Sequence, residues 1–81
     1  MQGIVKGLSQ NRQRAAVLTD TGYTVFDLVH GEVEVNDVIS GDLASHGSQD
    51  LSNLTTTHTL SVHIEAIQAT TSGARSLLKS R

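Results

Sequence analysis

The sequence predicts an all-β domain, a small closed or nearly closed barrel of five strands followed by a short C-terminal helix. Three observations predict it. The apolar content is mainly Val, Leu, Ile and Ala alongside abundant Thr, and β-branched side chains favour a pleated, half-buried surface. Short apolar runs are punctuated by Gly, Asn, Asp and Ser, with no proline anywhere. Near the end of the chain, Leu60, Val62, Ile64 and Ala66 alternate with Ser61, His63 and Glu65, the two-residue period of a strand with one buried and one wet face.

The first strand is expected over residues 3–8, with Ile4, Val5 and Leu8 as its apolar members. A polar loop, Ser9 to Arg14, leads to a second strand over 15–19 (Ala15-Ala16-Val17-Leu18-Thr19). Asp20-Thr21-Gly22 is a hairpin turn signal, and the third strand runs from Tyr23 to Val29. His30-Gly31 breaks it. Glu32 to Val35 then alternates polar and apolar, and Asn36-Asp37 forms a short turn. The fourth strand is expected over 38–43, bent at Gly41. Residues 44–53 read as a polar loop, and the fifth strand covers 60–66. Thr71-Ser72-Gly73 is a helix-start signal, and Ala74, Leu77 and Leu78 at i, i+3 and i+4 give that helix an apolar stripe. The chain thus divides into a barrel over 1–70 and a short helix or tail over 71–81. Closing the sheet removes the edges that invite aggregation. An OB-like barrel fits the strand pattern first, an SH3-like barrel second, and an open sheet with one helix third.

Short motifs add a family resemblance. Gly3-Ile4-Val5-Lys6 resembles the Gly-x-Val-Lys that opens cold-shock domains, and Val25-Phe26 falls where those domains carry a Val-Phe pair on their third strand. Val35-Asn36-Asp37-Val38-Ile39 is similar to a Val-Gly-Asp-x-Val turn of OB-type barrels. Over residues 3–67 the chain resembles small bacterial proteins with a cold-shock-like, OB-fold barrel. That resemblance implies single-stranded nucleic acid as a ligand. Where cold-shock domains place a Lys-Gly-Phe-Gly-Phe type of run on strand two, this chain has Ala15 to Thr19, and their Val-Phe-Val-His becomes Val25-Phe26-Asp27-Leu28.

Charge is unevenly spread. The chain has 81 residues and a net charge of −2, yet every base lies near an end (Lys6, Arg12, Arg14, Arg75, Lys79, Arg81) and every acid lies between Asp20 and Glu65. Phosphate binding needs basic side chains, and a single strand gains from aromatic platforms. Lys6, Arg12 and Arg14 are therefore the expected phosphate contacts, and Tyr23 the expected stacking platform. Phe26, an odd number of residues further on, faces the core instead. The working expectation is a non-catalytic module for RNA or single-stranded DNA. The alternative is a protein-interaction or assembly module using the acidic stretch Asp27, Glu32, Glu34, Asp37 and the C-terminal helix.

Other chemistries lack a pattern. With no cysteine, neither disulfide nor thiolate zinc site can form, and His30, His46, His58 and His63 show no metal-ligand spacing. His46, Ser48 and Asp50 share one loop without the strand-to-helix elbow that a serine nucleophile needs. No enzyme activity, metal or cofactor is expected. No apolar run approaches the ~20 residues of a membrane span. The start lacks the apolar stretch of a secretory leader, so the cytoplasm is the expected compartment.

Overall fold

The computed structural model describes residues 1–79; Ser80 and Arg81, including the last of the terminal bases, lie outside the described residues. Six strands and one helix follow in order: β1 (Gln2–Leu8), β2 (Arg14–Thr19), β3 (Gly22–His30), β4 (Val38–Ser40), β5 (Gly47–Asn53), β6 (His58–Ala69) and α1 (Thr71–Lys79). The strands close a barrel in the order β1-β2-β3-β6-β5-β4, every pairing antiparallel, with β4 sealing against β1.

The barrel has six strands, not the expected five. The extra one is β5, in the stretch read as a polar loop. Only Leu51 is aliphatic in Gly47-Ser48-Gln49-Asp50-Leu51-Ser52-Asn53, so no apolar rhythm announces it. Inward and outward positions still alternate, and β6 pairs with it residue by residue from Gly47↔Ile64 to Asn53↔His58. A polar strand is thus held by the long apolar one beside it. In turn, β6 extends beyond the expected 60–66 at both ends.

The expected strand over 38–43 shortens to Val38–Ser40, because the chain turns at Gly41, whose φ of 140° suits only glycine. That turn delivers Leu43 into the core, and the buried Thr24 hydroxyl donates to the Leu43 carbonyl at 2.7 Å to hold it there. The last strand also departs from strict alternation. Val25 pairs with Ala66 while the next residue, Phe26, pairs with Ile64, so Glu65 forms a bulge. Leu60, Val62 and Ile64 point inward as expected, whereas Ala66 is turned outward toward α1.

The interior is filled by Phe26, Ile39, Leu43, Leu51, Leu60, Ile64 and smaller aliphatics. One polar link is buried beside it. Asn53, fully buried, donates to the Asp37 carboxylate at 2.8 Å, and that carboxylate also accepts the Glu34 amide at 2.9 Å. Asp37 is therefore a buried structural group rather than part of an exposed acidic face.

Candidate functional site

A second, smaller apolar cluster lies outside the barrel. Ala16 and Val25, on the outer face of β2 and β3, meet Ala74 of α1, with Tyr23, Ala66, Ala69, Leu77 and Leu78 around them. The predicted stripe Ala74/Leu77/Leu78 is thus occupied in docking the helix. Thr70 caps the helix, its hydroxyl accepting the Gly73 amide at 3.1 Å, one residue before the expected start signal. At the other end α1 lies close over β1, where a Cβ on Gly7 would stand 2.8 Å from Leu78 Cδ1.

Arg14 secures this arrangement. Its backbone lies directly across from Asp27, and the guanidinium pairs with that carboxylate twice, Nε to Oδ1 at 2.6 Å and Nη2 to Oδ2 at 3.0 Å. Nη1 donates to the Leu77 carbonyl at 3.3 Å, near the negative end of the helix. Hydrogen bonding to Asp27 raises the Arg14 pKa against the opposing cost of burial. With 7% of its surface exposed, Arg14 is a pin between barrel and helix, and the structure gives it no face to offer a phosphate.

Arg12 is exposed but engaged. It adopts a left-handed backbone (φ 62°) in the loop after β1 and forms an ion pair with Glu34, which raises its pKa through the side-chain hydrogen bond. The two line a polar cleft of about 420 Å³ that also contains Glu32. The expected acidic stretch is accordingly dispersed: Asp27 serves Arg14, Glu34 serves Arg12, and Asp37 is buried.

Lys6 and Tyr23 do come together. With Ala16, Thr71, Arg75 and Leu78 they line a groove of about 200 Å³ between α1 and the outer face of the sheet. Lys6 is exposed on β1, Tyr23 is half-buried on β3, and Arg75 is exposed on α1. Neither Lys6 nor Arg75 has an ion-pair partner among the described residues. Arg75 and Lys79 also line an adjoining hollow beside Leu8 and Gln10.

No family model matches this chain, and no curated protein or solved structure matches it.

The four expected contacts therefore separate into two pairs. Lys6 and Tyr23 share the groove, while Arg12 and Arg14 are held in ion pairs elsewhere. Arg75 was the residue that sequence reasoning passed over. Its signal was its position beside Ala74 on the predicted stripe, which places it at the rim wherever the stripe docks. Among the described residues, no three His, Asp or Glu side chains gather as a metal site would require, and no helix is long and apolar enough to cross a membrane.

Proposed function

We propose that this chain is a non-catalytic binding module that holds a single-stranded RNA or DNA segment across the groove under α1. The observation that carries this reading is the convergence of Lys6, Tyr23 and Arg75, from three different elements, on one groove. Each part matches a need of the ligand. The two cations, unengaged by acids among the described residues, stand ready for backbone phosphates. Tyr23 is the one ring that lines the groove, and it supplies the stacking platform for one base. The β1-β2-β3 meander and the closure of β4 on β1 support an OB-like reading of the barrel, with β5 as an added strand.

A single platform is worth about 1–3 kcal/mol, so binding is weak and sequence-tolerant. The test is fluorescence anisotropy with a mixed-sequence single strand of about 15 nucleotides, the upper range for one OB-type domain. Two phosphate contacts give a slope of log K against log salt of about −1.4, and a third through Lys79 takes it to about −2. Reversing charge with Lys6→Glu and Arg75→Glu together should abolish the signal, whereas Arg12→Ala should leave it within twofold. No binding at high micromolar protein in low salt sinks the reading.

A further inference from the structure

Beside the groove, four outward side chains form one row across neighbouring strands. Val38 on β4 lies directly across from Ile4 on β1, Ile4 from Leu18 on β2, and Leu18 from Tyr23 on β3. Ile4 and Leu18 are 40% and 38% exposed, and Val38 is half-buried. They line a hollow of about 320 Å³ whose far rim carries Gln2 and Asp20. Charge on the two flanks of the row is opposite in sign. Lys6 and Arg75 stand on the flank nearer α1, and Asp20 stands on the other.

We propose that the row Val38–Ile4–Leu18 is the docking strip for a protein partner that presents an amphipathic helix with acidic residues along one flank. Strand addition is closed to such a partner, since among the described residues the closed barrel leaves no sheet edge. Side chains must make the contact. From Val38 to Leu18 is two strand spacings, about 9.6 Å, and residues i and i+7 of a helix lie about 10.5 Å apart along its axis. Apolar residues at i, i+4 and i+7 of a helix laid across the strands would therefore meet Val38, Ile4 and Leu18 in turn. The cations on one side and Asp20 on the other then fix which way the helix points and which flank is acidic. Bases suit the strip less well, because stacking needs ring faces and its three residues are aliphatic. A second copy of this chain is also a poor occupant: two aliphatics about two-fifths exposed and one half-buried fall well short of the roughly 800 Å² per partner of a stable interface.

The probe is a designed helical peptide with Leu at i, i+4 and i+7 and Glu along one flank, together with a twin carrying Lys in place of Glu. Both are titrated into the isotope-labelled full chain and followed by amide chemical shifts. The acidic peptide should move Ile4, Leu18, Val38 and Lys6, and the basic twin should bind at least about fivefold more weakly. Leu18→Ser, which lies outside the core cluster and leaves the barrel intact, should cost about tenfold in affinity, and Lys6→Glu about threefold. Equal binding of the two twins overturns the proposal, as does the absence of shifts along the row up to millimolar peptide. So does an RNA strand that moves Ile4, Leu18 and Val38 when the acidic peptide does not. Failure of the groove to bind nucleic acid leaves this result untouched, since Ile4 and Val38 do not line that groove.

Discussion

The two apolar clusters differ in kind. Inside the barrel, Phe26 and five large aliphatics are sealed by six strands. Outside it, Ala16, Val25 and Ala74 join a nine-residue helix to one face of the sheet. A helix of that length is marginal alone, so its order comes from the docking contacts. The comparison teaches a division of labour. The inner cluster decides whether the chain folds, and the outer one decides whether Arg75 meets Lys6 and Tyr23. Large apolar side chains fill the first. At the centre of the second, Ala16, Val25 and Ala74 are small and let the helix lie close, with Tyr23, Leu77 and Leu78 around them.

The largest effect should come from the inner cluster. Phe26→Ala leaves a cavity enclosed on all sides and should cost about 3–5 kcal/mol, read as a fall in the urea midpoint with the slope unchanged. If the loss is below about 1 kcal/mol, the barrel is not the seat of stability. Next comes the pin between the clusters. Arg14→Ala removes the guanidinium that bonds the Asp27 carboxylate twice and should cost about 3 kcal/mol, while the double change Arg14→Met with Asp27→Leu should regain much of it. A double variant no better than the single one would show that the helix needs the ion pair itself.

Ala74→Asp sharpens the comparison. A charge in the outer cluster should free α1 while the barrel persists, lowering the melting temperature by about 4–8 °C for a loss near 1 kcal/mol. Hydrogen exchange should then quicken along Ala74 to Lys79 and stay slow at Phe26 and Ile64. Loss of protection throughout would mean that the two clusters fold as one. The smallest effect concerns alkali. Arg14 has a raised pKa in the folded state, so its contribution is full below the ordinary arginine range and fades only as pH climbs through the raised one. The difference in stability between the native chain and the Arg14→Met/Asp27→Leu variant should therefore stay constant from pH 7 to about pH 10 as far as Arg14 is concerned, measured by urea denaturation at each pH.

The first three strands were legible within a residue or so at each end, because Val, Ile, Tyr and Phe stand between clear turn signals. The fifth strand was invisible, since Ser48, Gln49, Asp50 and Ser52 carry no apolar rhythm and owe their pairing to β6. The inward run Leu60-Val62-Ile64 was legible, and the outward turn of Ala66 was not. A bulge at Glu65 depends on the partner strand's register, which a single segment does not encode. Of the four expected contacts, Lys6 and Tyr23 line one groove, a convergence that no pattern along the chain announces. Arg12 and Arg14 looked available because their acids, Glu34 and Asp27, are distant in sequence. Whether a base is free is a tertiary property, and composition does not report it.

The most direct measurement is an amide shift map of the isotope-labelled full chain titrated with a mixed-sequence single strand in low salt. The groove reading expects shifts at Lys6, Gly7, Tyr23, Thr71 and Arg75, and quiet amides from Asn11 to Gln13 and from Gly31 to Glu34. Shifts centred on Arg12 and Glu34 with the α1 groove unmoved would contradict it.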